Sequence, residues 1–314
     1  MEQSMVKFGE VRKSVKQQAK NFHDEIVPLS DVSFDSLGTV RIGSESYRLR
    51  VMAGQGMAAR LKVPYQYLAR CSAGLQAQNL NYWVTKQKAT ASELLLRFDG
   101  DIVRAVLSRK FVPIDNMQIV DEMSSLGIQD DADVQCYVDD RFMMLNVPSP
   151  DKKFALLKKD EMMPGVSIGN SEVGLASFSV AAFMLRLICT NGMISKHHIE
   201  KSSYRHTSHK VLQQLPNILE DATSNLDLLQ HSMKSALKIK IEEPEKMLLT
   251  LNDKYLLGVN QRQAVEWAFP QENGSTLFHL IQTYTKAAQH ESLSVQERYQ
   301  LQVMGSEVLH TANS

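Results

Sequence analysis

Four of the nine histidines, His197, His198, His206 and His209, fall within thirteen residues. Lys196, Lys201, Tyr204, Arg205 and Lys210 lie among them, with Glu200 the single acid between Lys196 and Lys210. Three readings fit these residue types. A cationic tract with an aromatic ring can hold a polyanion, the cations on phosphates and the ring against a base. Paired histidines can ligate a metal: His206 and His209 would share one face of a helix. Against that, no Cys or paired carboxylate accompanies them, and the adjacent His197 and His198 would point apart. The third reading is a solvated loop that follows a buried strand.

A second basic group supports the polyanion reading. Arg104 and Arg109 alternate with apolar Val103 and Val106 on or near a predicted strand, and Lys110 follows. The candidate phosphate contacts are therefore Arg104, Arg109, Lys110, Lys196, Lys201, Arg205 and Lys210, with Tyr204 as the candidate stacking residue. Charge is segregated along the chain. Residues 41–110 carry twelve lysines and arginines against four acids, and residues 115–140 carry eight acids and no base. Such segregation can leave one face positive, or the two groups can pair internally or between subunits.

Other chemistry is sparse. Asp130, Asp131, Asp133, Asp139 and Asp140 could hold magnesium, but Asp139 and Asp140 read as hairpin-turn residues. Residues 165–174, GVSIGNSEVG, lack the spacing of a phosphate cradle and read as a strand with a kink. Glu172 at that kink could bind a cation or satisfy a backbone group. No P-loop, dinucleotide fingerprint or nucleophile elbow is present. No nucleophile, base and metal set stands at recognisable spacing, so no catalytic residue, metal ligand or cofactor is assigned.

Thirty-five basic and thirty-five acidic side chains give a formal net charge of zero over 314 residues. That excludes a protein that coats nucleic acid by gross charge. Three scattered cysteines, Cys71, Cys136 and Cys189, offer neither a disulfide framework nor zinc spacing. The charged N-terminus lacks a signal-peptide core, and the longest apolar run, residues 180–189, is too short to span a bilayer. A cytoplasmic protein with no membrane contact is expected.

The elements that must position these residues follow from period and punctuation. Residues 5–23 read as an amphipathic helix, and 40–51 as a short strand region broken by Gly54 and Gly56. Residues 57–71 suggest two short helices split at Val63-Pro64, faintly like a helix-turn-helix. Residues 94–98 and 102–107 form a hairpin around Asp99-Gly100-Asp101. Asp115 caps a helix over 117–126, and 134–138 with 142–147 form a second hairpin. Residues 166–168 and 175–189 add strands. A five-turn helix over 218–237 opens a helical tail of 245–251, 261–269, 276–288 and 295–310, the last with a Ser294 to Glu297 capping box. The fold class is α+β: a largely antiparallel, hairpin-rich sheet with a packed helix, followed by a helical C-terminal region. The divisions are 1–50 as lead-in, 51–215 as core and 216–314 as helical region.

The run GVSIGNSEVGLASFSVAAFMLRLICTNGMI resembles the signature of phage/plasmid-like proteins in a large family of unknown function. Its parts are Ile168 to Gly174, the strand to Met184, and Leu187 to Gly192. The segments LKVPYQYL, RAVLSRKFVPIDN and TLFHLIQTYTKAAQH are similar too, so the likeness spans about residues 50–310. Two departures are Gly169, where a larger or serine-like residue is usual, and Leu277, Phe278 and His279, which replace a Trp-aromatic-Asn lead-in. The resemblance implies a phage, plasmid or integrated element. Single-strand annealing proteins of the Red-beta and Erf type share this setting and a hairpin-rich sheet backed by a helix, a likeness by analogy alone. The expected function is single-stranded DNA binding or annealing by a homo-oligomer in recombination or replication. Two alternatives stand beside it: a non-enzymatic partner protein that targets a host or rival factor, and a metal-dependent enzyme using Glu172 and the histidines.

Overall fold

The computed structural model describes residues 5–311 except 88–92, 158–159, 188–190, 196–202, 207, 209, 225 and 273. A two-residue strand, β1 (Val6–Lys7), leads into helix α1 (Phe8–Gln18), which buries Phe8, Val11 and Val15 on one stripe. The predicted helix stops there. A 3-10 turn, Ala19–Asn21, follows, and the chain becomes a strand, β2 (Phe22–Pro28).

The hairpins divide between two sheets. The first has six strands in the order β2-β6-β7-β5-β4-β3, from β3 (Val32–Ser36), β4 (Thr39–Ile42), β5 (Glu45–Leu49), β6 (Glu93–Asp99) and β7 (Ile102–Ser108). Its β6–β7 turn is the predicted Asp-Gly turn, with Gly100 at φ 58°. Only the β5–β7 pairing is parallel. The lead-in strands of residues 22–49 thus share one sheet with residues 93–108. Three helices interrupt this sheet in sequence: α2 (Val51–Arg60), α3 (Tyr65–Leu68) and α4 (Ala73–Gln87). Gly54 and Gly56 do not break the chain; they lie inside α2. A Cβ on either would stand 3.1 Å from a backbone oxygen, of Leu37 and of Val106, so glycine lets the helix approach the strands. Helix α4 had no clear signal. Leu80 and Val84 point it at a core that includes Phe34, Leu94, Leu96 and Phe98.

After α5 (Asn116–Ser125), which Gln118 helps cap by accepting the Asp115 N–H at 2.9 Å, the second sheet forms. It contains β1, β8 (Asp133–Val138), β9 (Met143–Pro148), β11 (Asp160–Asn170), β12 (Phe178–Arg186) and β13 (Asn191–Ile194) in that order. Two short strands attach to it: β10 (Phe154–Leu157) beside β11, and β14 (Ser203–Tyr204) beside β12. Helices cover both faces, which is why β12 is apolar at every position from Val180 to Leu185. Phe178 and Val180 meet α1, α5, α6 (Lys210–Gln213) and α7 (Leu215–Ser224). Ala182 and Met184 face the tail helices, and Phe183 and Leu185 join Phe142 and Tyr299.

The expected five-turn helix over 218–237 is helical on both sides of residue 225, as α7 and α8 (Leu226–Ala236). The tail continues as α9 (Pro244–Lys254), α10 (Val259–Ala268), α11 (Leu277–Ala287) and α12 (Val295–Thr311). The capping box at the head of α12 is formed, Glu297 accepting from the Ser294 N–H at 2.8 Å. Among the described residues no helix is long and apolar enough to cross a membrane.

Candidate functional site

The NSEVG turn joins the two sheets. It leaves β11 at Asn170, and its Glu172 takes three donors from three elements, two on the carboxylate and one on the backbone carbonyl. Arg104 on β7 donates from Nη1 to Glu172 Oε2 at 2.8 Å. The Asn116 N–H at the head of α5 donates to Glu172 Oε1 at 2.7 Å. Arg97 on β6 donates to the Glu172 carbonyl at 2.8 Å. Arg97 also meets Asp24 on β2 at 2.9 Å and Asp115 before α5. Asn170 donates to the Ile114 carbonyl and to Asn116 Oδ1, and Ser171 donates to the Arg141 carbonyl. Gly174 closes the turn at φ 78°, a conformation that favours glycine. The kink was legible; its role as a clamp was not. The available signal was a charge inside an apolar strand run, Leu94 to Phe98, since a buried arginine demands partners.

Arg104 is therefore not a surface phosphate contact. It is 2% exposed, and its partner Glu172 is 7% exposed. Its guanidinium carbon lies 3.6 Å from the Phe22 ring centroid, while Nε and Nη2 are buried without hydrogen-bond partners. Burial pushes this guanidinium below its ordinary range; Glu172 pulls the other way and the like charge of Arg97 adds to the depression. Burial acts on Arg97 in the same sense, but Asp115 and Asp24 outweigh it and its pKa is raised. A cavity of about 230 Å³ adjoins the pair, lined by Gln18, Phe22, Arg50, Asp99 and Asp140 among others.

The two charge blocks of the sequence meet at two points, Arg97 with Asp115 and Arg50 with Asp140, while the N-terminal Lys7 and Arg12 take other acids of the second block. Arg97 pairs with Asp115, and Arg50 reaches Asp99 at 2.7 Å and Asp140 at 3.8 Å. Lys7 takes Asp133, and Arg12 takes Asp121 and Asp130. Asp139 accepts from the Arg141 and Phe142 N–H groups, as a turn residue does. No group of three or more metal-ligating side chains stands together among the described residues.

Two of the remaining candidates do converge. Lys110 and Arg205 line one cleft of about 360 Å³ with Ser108, Phe111, Leu175 and His206, and among the described residues no carboxylate lines it. His206 stacks on Phe111, with centroids 4.6 Å apart and planes 8° from parallel. Its ring is 6% exposed and neither nitrogen has a hydrogen-bond partner of good geometry. Burial lowers the His206 pKa, opposed by the backbone of Val112 and Ala176. The Val112 N–H donates to the His206 carbonyl at 2.8 Å, which fastens the 203–206 segment to the end of β7. Arg109 is exposed and 3.6 Å from Glu93. Lys210 is exposed at the head of α6 and does not line the cleft. Tyr204 pairs with Phe178 on β12 and is half-buried against the core there, and it does not line the cleft. Lys196, Lys201, His197, His198, His209 and Cys189 lie outside the described residues.

A family model matches residues 104–306, from Arg104 on β7 to Ser306 on α12 and more than half of the chain. The chain belongs to that family, described as Domain of unknown function (DUF932). The matched segment holds Glu172 and the Lys110–Arg205 cleft; Arg97 and helices α2 to α4 lie outside it. No curated protein and no solved structure matches the chain.

Proposed function

We propose that this DUF932 protein binds single-stranded nucleic acid at the Lys110–Arg205 cleft, as a cytoplasmic component of recombination or replication in a phage or other mobile element. One observation carries the reading. Two cations 95 positions apart in sequence are brought to one cleft whose wall is a stacked aromatic pair. The cations supply the phosphate term of binding, and the apolar wall of Phe111 and Leu175 accommodates a base or sugar. Zero net charge is consistent with such a local site, because a cleft focuses field where the whole molecule does not.

Fluorescence anisotropy with a labelled oligo-dT, run as a salt series, tests it. Wild type binds the single strand in preference to a duplex, and affinity falls steeply with salt. The Lys110→Ala/Arg205→Ala variant binds at least about tenfold more weakly, with a salt slope smaller by about two, one per lost phosphate contact. Equal binding and equal slope in the variant overturn the assignment.

A further inference from the structure

We infer that the outer face of helices α2 to α4 is a second nucleic-acid surface, one that stacks unpaired bases. The inference rests on the single-strand reading above but uses different residues.

Residues 46–92 contain no aspartate or glutamate and seven lysines or arginines. Arg48 and Arg50 are taken by Asp101, Asp99 and Asp140. Lys62, Arg70 and Lys86 are exposed, and none makes an ion pair within the described residues. Strand β3 packs against α4 through Asn81 and Gln76, whose side chains bond the backbone of Phe34 and Leu37, and Asp35 of that strand is bound by Arg41 at 2.9 Å.

Aromatic rings stand among these cations. On α4 the stripe opposite Leu80 and Val84 carries Leu75, Tyr82, Trp83 and Lys86 at helical spacing. Tyr82 is 54% exposed and Trp83 41%, with ring centroids 5.3 Å apart in an edge-on arrangement. Lys86 Nζ lies 5.5 Å from the Tyr82 centroid. Tyr67 on α3 is exposed as well, and Gln76 holds the two helices together by donating to the Leu68 and Cys71 carbonyls at 3.0 Å. A core-facing helix has no use for this arrangement. Exposed rings interleaved with cations, with no carboxylate in the segment, complement a strand that offers phosphates and bare bases. A duplex hides its base faces and fits poorly.

Lys62 adds an independent mark. It occupies φ 58° at the end of α2, where the Val63 N–H returns to the Ala58 carbonyl and the Lys62 N–H to that of Ala59. That is a Schellman closure, whose left-handed position favours glycine. The strain is carried by a residue that projects a cation.

The test uses full-length protein with Trp267→Phe, which leaves Trp83 as the sole tryptophan. Titration with oligo-dT quenches Trp83 emission, and an abasic oligomer of equal charge does not. Tyr82→Ala and Lys86→Ala each weaken oligo-dT binding, Tyr82→Ala by roughly five- to a hundredfold, the range for one stacked base. Lys62→Gly melts no lower than wild type and still binds more weakly. Trp83 emission that is silent at saturating oligo-dT, while anisotropy shows binding lost in Lys110→Ala/Arg205→Ala, overturns this inference alone. No oligonucleotide binding by anisotropy overturns both readings. Emission that changes with protein concentration and not with oligo-dT makes the face a self-association surface and also overturns the inference.

Discussion

Glu172 is a nearly buried carboxylate with its partners fixed by three elements. Arg104 Nη1 and the Asn116 N–H occupy its two oxygens, and Arg97 holds its carbonyl. The geometry stabilises only while both charges are present, since a buried ion without its partner is costly. Glu172→Gln keeps an acceptor for Asn116 but leaves the Arg104 cation buried beside Arg97. It should destabilise the protein by about 3 kcal/mol, the scale of a broken buried pair. Adding Arg104→Met removes the stranded charge and should recover part of that loss. Urea unfolding of the two variants and wild type measures both numbers. A Glu172→Gln protein as stable as wild type would show that the pair is not the clamp described above.

At the scale of elements, the readable parts were those whose signal is local. The Asp99-Gly100-Asp101 turn, the hairpin around Asp139 and Asp140, and the Ser294 cap each came from a few adjacent residues and formed as expected. Strand β12 was legible as apolar but not as a strand with helices on both faces, because burial from either side leaves the same run. The two short helices split at Val63-Pro64 formed, but the first half of α2 was not legible, because Gly54 and Gly56 serve packing against Leu37 and Val106, which only the tertiary structure reveals. Helix α4 was missed because its outer stripe holds Leu75, Tyr82 and Trp83, so no apolar period stands out. The site suffered similarly: Arg104 on a strand looks identical in sequence whether it faces solvent or Glu172. One element also makes a prediction of its own. Helix α9 ends on Leu256 at φ 53°, with the Leu257 N–H returning to Asn252 and the Leu256 N–H to Asp253. Leu256 is largely exposed and contributes little packing. Leu256→Gly should therefore raise stability by about 1 kcal/mol, the cost of the left-handed conformation for a side-chain-bearing residue. A lower urea midpoint at unchanged m-value would refute this.

The whole molecule is two sheets with separate cores and a mostly polar seam. The six-stranded sheet closes its core with α2 and α4, around Phe34, Met57, Leu80 and Phe98. The eight-stranded sheet buries its own residues beneath α1, α5 and the tail helices. Between them lies a small apolar contact of Met52, Ala105, Val173 and Leu107, and beside it the network of Arg97, Arg104, Asp24, Asp115 and Glu172. So few apolar groups cannot by themselves make two such cores unfold as one. The ion network supplies the rest of the coupling, with Arg97 as the hinge pin because it touches β2, the head of α5 and the NSEVG turn together. Wild type should unfold in a single calorimetric transition, its van't Hoff and calorimetric enthalpies equal. Arg97→Met removes every one of those bonds while leaving both cores intact, and strands the Asp24 and Asp115 carboxylates. Its endotherm should split into two, with Trp83 emission following the transition of the six-stranded sheet and tyrosines of the tail following the other. A single transition in Arg97→Met, shared by both probes, would mean that Arg97 is not what makes the protein one unit.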